Sequence, residues 1–405
     1  MPHIRCSHAR RRRAIALVSL VVLLTACHDR PTELLQGPNP PAPPTGESPD
    51  SAGVIIASVS TSGGDFDPDG YTFTVDTFVE HTASLDSTVV WDSIPKGTHS
   101  IGISGLAANC SLVNPPPDSV TLTARDTAIV AFHVACVARS LAFVSNRSGR
   151  YQIYTIHSDS SGLAQLSDGQ YDDQSPSWSS DGAKLVFSRR LTPDTTAIYI
   201  MNANGSGATL VTKAAGLEWL PTLSPDGSRI AFQFIGNGQI SVYAVNPDGS
   251  DLTKLADSVG YADRPTWAPD GSHILYSSTR TGVSQLYSMK PDGSDKLLVP
   301  TPTAQAMAPM YSPDGTRITY VGEDADGTKR IHIMNADGTH DAAITDGSTL
   351  VFQPAWSPDG LKLAYVELAS DGSNNYDIYI VNANGTGRTR LTSAPAVDVF
   401  PVWRP

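Results

Sequence analysis

Pro354-Ala355-Trp356-Ser357-Pro358-Asp359-Gly360-Leu361-Lys362-Leu363-Ala364-Tyr365 decides the fold, because its skeleton also stands at four places upstream. The aspartates Asp181, Asp226, Asp270, Asp314 and Asp359 are each followed by glycine and stand 44 or 45 residues apart. Five positions before each stands a proline: Pro176, Pro221, Pro265, Pro309 and Pro354. Three before is Trp178, Leu223, Trp267, Tyr311 or Trp356; six after is Phe187, Phe232, Tyr276, Tyr320 or Tyr365. A third segment carries Tyr199, Tyr243, Tyr287, His332 or Tyr379, and a short fourth follows, as in Leu210-Val211-Thr212 and Leu391-Thr392.

Four short strands joined by tight turns and repeated at this period make one blade of a β-propeller. A blade has two apolar faces, so the recurring aromatics belong in the layers between neighbouring blades. Five copies are complete, and a sixth is split between the ends of the repeat region. Leu141-Ala142-Phe143, Tyr154 and Gln165-Leu166 lack a first strand, whereas Phe400-Pro401-Val402-Trp403 is a first strand with nothing after it. Pairing the two gives six blades closed by the C-terminal strand and removes exposed sheet edges.

The string Trp356-Ser357-Pro358-Asp359-Gly360, with an Ile/Leu-Ala-Tyr/Phe strand after it, resembles the TolB-type propeller repeat, and the likeness runs from about Ser140 to Pro405. The resemblance implies an all-β, six-bladed propeller. TolB itself carries an α/β domain in front of its blades; a different segment stands there here, so its role in an envelope complex transfers only as fold-level analogy.

Outward from the repeats, residues 52–137 alternate with period two over Val54 to Ser60, Tyr71 to Val79, His99 to Ser104, Val120 to Thr123 and Ala128 to Val134. This reads as a small β-sandwich ahead of a propeller over 138–405. Asp67-Pro68-Asp69-Gly70-Tyr71 and Gly97-Thr98-His99-Ser100-Ile101 resemble sandwich modules of the PEGA or transthyretin-like type. Cys110 and Cys136 are expected to form a disulfide, because no CxxC spacing or histidine cluster argues for metal. Asp65, Asp67, Asp69 and Asp76 reproduce the ligand spacing of a calcium loop, but a hairpin turn explains the same residues and the flanks alternate as strands.

Residues 1–27 are an export leader: Arg5 and Arg10 to Arg13 precede an apolar run from Ala14 to Leu24 that is too short to span a bilayer. Leu24-Thr25-Ala26-Cys27 resembles a bacterial lipobox, which implies acylation of Cys27 and a membrane anchor. His28, rather than aspartate, follows the cysteine and favours an outer-membrane address. Residues 28–51 carry Pro38, Pro40, Pro41, Pro43, Pro44 and Pro49 and read as an extended spacer. The formal charge is −12 at pH 7, and losing the basic leader makes the chain more acidic still, which argues against nucleic acid as a partner.

The turn aspartates serve hairpin geometry. Candidate binding residues therefore lie on the other rim, where the copies diverge before each proline: Tyr171, Asp173, Glu218, Trp219, Asp263, Arg264, Met307, Phe352, Gln353 and Phe400. Aromatics among carboxylates and one arginine suit a peptide or a sugar; the alternative is that they cap the blade layers. Gly102-Ile103-Ser104-Gly105-Leu106 is not a nucleophile elbow, and His157, His273, His332 and His340 have no metal-ligand spacing. The expectation is a non-catalytic envelope lipoprotein, without cofactor, that binds a protein or peptide. A glycan-binding or glycan-processing surface protein and a purely structural surface module are the alternatives.

Overall fold

The structure is a computed structural model that describes residues 34–36, 52–65, 70–76, 79–107, 109–212, 216–256, 260–369 and 375–405. The leader, Cys27, Asp67 and Asp69 lie outside the described residues, as does most of the proline-rich spacer. The described residues form strands and turns, with no helix.

The chain divides into two compact units. One comprises Met1–Val59, Thr72–Ile103 and Pro117–Ala131; the other comprises Ser60–Tyr71, Ser104–Pro116 and Phe132–Pro405. The N-terminal strands make two sheets. Five strands run in the order Leu34–Gln36, Thr88–Ile94, Gly53–Gly63, Thr127–Cys136, Cys110–Leu112; four run Val79–Ala83, Tyr71–Val75, Gly97–Ser104, Ser119–Leu122. Alternation places Phe73 and Trp91 inside, both fully buried and edge-to-face at 6.2 Å.

Three details differ from the sequence reading. Leu34–Gln36 of the spacer pairs in parallel with Thr88 to Val90, so this stretch of the spacer is a strand. The segment read as one strand from Tyr71 to Val79 is two, Tyr71–Val75 and Val79–Ala83, separated at Asp76, which takes a left-handed φ of 54°. The strands Thr88–Ile94 and Cys110–Leu112 lie outside the alternating segments. Cys110 and Cys136 stand opposite each other in register and are joined by a disulfide.

Six further sheets have four antiparallel strands each. Blade 1 joins the two ends of the repeat region: Asp398–Trp403 pairs with Ser140–Ser145, followed by Gln152–His157 and Ala164–Gln165. Blades 2 to 6 are contiguous, starting at Asp172–Trp178, Leu217–Leu223, Ala262–Trp267, Gln305–Tyr311 and Val351–Trp356. In every blade the second-strand aromatic is fully buried and sits directly across from the ring of the third strand. The six pairs run from Phe143 with Tyr154 to Tyr365 with Tyr379, with centroids 5.2–6.1 Å apart; each adds about 0.5–1.5 kcal/mol beyond area burial. The fourth strands are short and lie slightly earlier than expected: Leu391 and Thr392 follow the strand Thr389–Arg390, with Leu391 buried and the Thr392 hydroxyl accepting from Ile378 N–H at 3.0 Å.

The Asp-Gly turns are self-contained. The carboxylates of Asp181, Asp226, Asp314 and Asp359 each accept from the serine hydroxyl two residues earlier at 2.5 Å. Each also accepts a backbone N–H two residues later at 2.9–3.0 Å. These donors hold Asp226 at about 2, with the Ser224 hydroxyl the largest influence. The glycine that follows takes φ near 63–71° in the five contiguous blades, a region open to it because it has no Cβ.

Candidate functional site

The first strand of every blade breaks register immediately before its proline. The residue at the break is left-handed each time: Ser175 at φ 53°, Leu220 at 55°, Arg264 at 51°, Ala308 at 53°, Gln353 at 52° and Phe400 at 55°. This is a β-bulge on an edge strand, where proline is tolerated because its missing N–H removes no ladder bond. For side chains other than glycine, asparagine or aspartate the left-handed conformation costs about 1–2 kcal/mol. Six such residues persist because each blade fixes its bulge between a paired strand before and a paired strand after.

The bulge decides which side chains reach the axis. In an unbroken strand the residues three before and one before the proline would share a face. Here the residues three before, Asp173, Glu218, Ala262, Ala306, Val351 and Asp398, are all buried, at most 1% exposed. The residues one before converge instead on a single cavity of about 130 Å³, lined also by the prolines and the residues after them. All six blades contribute to this axial channel.

The sequence candidates separate accordingly. Arg264, Gln353 and Phe400 line the channel, and Gln353 Oε1 accepts the Phe400 N–H at 2.8 Å, tying blade 6 to blade 1. Asp173 does not reach the surface: Arg189 donates to both its carboxylate oxygens, at 2.7 and 2.8 Å. Burial pushes the Asp173 carboxyl up, and Arg189 pulls it back. Glu218 is equally closed off and accepts from the Thr212 hydroxyl and from Ile198 N–H at 3.1 Å. Tyr171 is exposed, with the Arg189 guanidinium 5.1 Å from its ring centroid. Trp219, Asp263, Met307 and Phe352 stand two residues before their prolines and are half-buried. The Phe352 ring packs edge-to-face on Tyr376 at 5.8 Å and against the core between blades 6 and 1.

Ser175, Leu220 and Ala308 also line the channel, as the expectation that residues just before each proline line its mouth requires, although none of the three is among the named candidates. Their fixed place immediately before the repeat proline was the available signal. In the N-terminal loop, Asp65 accepts from Lys362 Nζ at 2.5 Å and from the Arg139 N–H at 2.9 Å, while Asp76 accepts from His99 Nδ1 at 2.8 Å and the Ser100 N–H at 2.9 Å. Among the described residues no group of three or more His, Cys, Asp or Glu side chains is placed to hold a metal ion.

Electrostatically the channel is lopsided. Its wall is formed by neutral residues except at Arg264. Burial pushes the Asp263 carboxyl beside it up, opposed by the guanidinium, and burial weakens the hold of Arg264 on its own proton.

A family profile described as TolB beta propeller domain matches residues 191–320 and 291–405. No curated protein sequence matches the chain. Among solved structures, TolB from Acinetobacter baumannii is 21% identical with a TM-score of 0.60, over 66% of this chain and 67% of that one. Hydrazine synthase from Kuenenia stuttgartiensis is 15% identical with a TM-score of 0.55, over 66% of this chain and 46% of that one. A chain of a nidogen/laminin complex is 9% identical with a TM-score of 0.54, over 66% of this chain and 98% of that one. Identities this low, among proteins so different, carry the fold and not an activity.

Proposed function

The chain belongs to the TolB β-propeller family, and from that premise we propose that it is a non-catalytic cell-envelope scaffold that binds a protein or peptide partner in its axial channel. It is exported and lipid-anchored through Cys27 in this reading, which rests on the basic and apolar leader and on Leu24-Thr25-Ala26-Cys27. The His28 that follows points to the outer membrane, and the N-terminal strands form a PEGA-like module in this reading.

One observation carries the binding role. Six blades deliver the same backbone turn to the channel but six different side chains, Ser, Leu, Arg, Ala, Gln and Phe. A symmetric frame with an asymmetric lining is suited to an asymmetric guest, whereas packing alone would be served by repetition.

The test uses the full chain as bait in native envelope extract beside the variant Ala308→Trp, which fills the channel. Phe400 shows that an aromatic is accommodated at the equivalent left-handed position. A protein captured by the wild type and lost with the correctly folded variant supports the reading. Equal capture by both removes the channel as the site.

A further inference from the structure

Arg264 differs from the blade arginines that hold carboxylates. Arg189 clamps Asp173 with two bonds, Arg147 Nη2 reaches both oxygens of Asp398 at 2.9 and 3.0 Å, and Arg388 pairs with Glu367. Among the described residues the Arg264 guanidinium has no hydrogen bond and no ion pair, although it is half-buried in the channel wall. The charge that acts on it is Asp263, whose own ionisation burial opposes. A guanidinium keeps its charge under these conditions and offers five N–H donors in a planar fork. Its fork is thus free to receive an anion in the channel.

A second polar residue of the channel wall is also without a partner. Ser175 lines the same cavity, is 3% exposed, and its hydroxyl has no hydrogen-bond partner among the described residues.

Size and charge limit the guest. At about 130 Å³ the cavity is well below the roughly 300–1,000 Å³ of ordinary small-molecule sites. It holds the tip of a side chain rather than a sugar ring. The chain as a whole carries −12, so a polyanion is repelled at long range far more than a single anionic tip.

We propose that Arg264 seats a carboxylate carried by a protein partner, an Asp or Glu side chain or a chain terminus inserted along the axis. This rests on the channel being the partner site. Carboxylate oxygens match the guanidinium fork with two parallel N–H donors.

The experiment follows the arginine Nε–Hε resonances of the full chain at pH 7 during titration. The probes are Ac-Gly-Glu-Gly-NH2, Ac-Gly-Gly-Gly with a free C-terminal carboxylate, Ac-Gly-Gln-Gly-NH2 and glucuronate. Arg264→Asn assigns the resonance and removes the charge without backbone strain, because asparagine tolerates the left-handed region. The expected result is a saturable Arg264 shift with one or both carboxylate peptides, which also tells side chain from terminus, and none with the glutamine peptide. Affinity is expected to fall about tenfold or more in Arg264→Lys, which keeps charge but loses the fork. Equal binding of the glutamine peptide overturns the carboxylate claim while leaving the channel standing. Glucuronate binding as well as the peptides do overturns it in favour of an anionic glycan, and no shift with any probe overturns it outright. Undiminished binding of the glutamate peptide to Ala308→Trp overturns the channel reading itself.

Discussion

At the strand-one-to-two turns of blades 2 to 6 the repeats agree in side chain as well as backbone, whereas at the axial channel all six blades agree in backbone alone. The turn carboxylates are consumed locally: a hydroxyl and a backbone N–H hold each of Asp181, Asp226, Asp314 and Asp359, and glycine adopts the positive φ that follows. At the channel the same sign of φ is taken by Leu220, Arg264 and Phe400, in which it is strained. Where a repeated position carries the residue its geometry prefers, the position serves the frame. A strained position with varied chemistry is where another demand on the side chain is to be sought.

The largest effect is expected from removing the frame on which both faces depend. Deleting Phe400–Pro405 takes away most of the strand paired with Ser140–Ser145 and the buried Trp403. Truncating such an indole alone costs about 3–5 kcal/mol, a large share of the roughly 5–15 kcal/mol that typically stabilises a domain. Cooperative melting of the propeller is expected to be lost, and an unchanged melting temperature would separate the last strand from the integrity of the blades.

A smaller, paired effect breaks or sharpens the contrast between the faces directly. Gly227→Ala puts a methyl group at φ 69° where nothing lies within 4 Å, so its cost is conformational, about 1 kcal/mol. Ala308→Gly removes a methyl group at φ 53° and is expected to be neutral or to stabilise by up to about 1 kcal/mol. Urea unfolding of both variants reads the signs. If Ala308→Gly costs as much as Gly227→Ala, the channel residues are not strained.

The smallest effect lies at one turn. The Asp226 carboxyl is held at about 2, below its unfolded value of about 3.9, so its contribution is present above the unfolded value and lost as pH falls toward 2. Asp226→Asn is expected to lower the melting temperature slightly at pH 7, with the gap closing between about pH 4 and pH 2. A gap independent of pH would show that geometry alone matters at this turn.

The frame was legible in the sequence because it is built from identities that recur: the aspartate-glycine turns, the prolines and the ring pairs such as Tyr276 with Tyr287. The split blade was legible too, since Phe400 to Trp403 is a first strand without a sequel and Leu141 to Phe143 a second strand without a predecessor. The channel lining was legible only in part, because period-two reasoning fails across a bulge. Asp173 and Glu218 share parity with the channel residues in an unbroken strand, yet both turn away from the channel, Asp173 onto Arg189 of its own blade and Glu218 onto Thr212 of the preceding blade. Ser175 and Ala308 offered no chemical signal of their own; only their place before the proline marks them. Phe352 looks like a recognition aromatic in sequence but packs its ring on Tyr376.

The most direct measurement compares two tryptophans of equal bulk on the two faces. The partner captured by the full chain is titrated against Ala308→Trp, in the channel, and Ser228→Trp, on an exposed Asp-Gly turn. The channel account predicts that Ala308→Trp abolishes binding and Ser228→Trp leaves it unchanged. Loss with Ser228→Trp and retention with Ala308→Trp would place recognition on the turn face and contradict it.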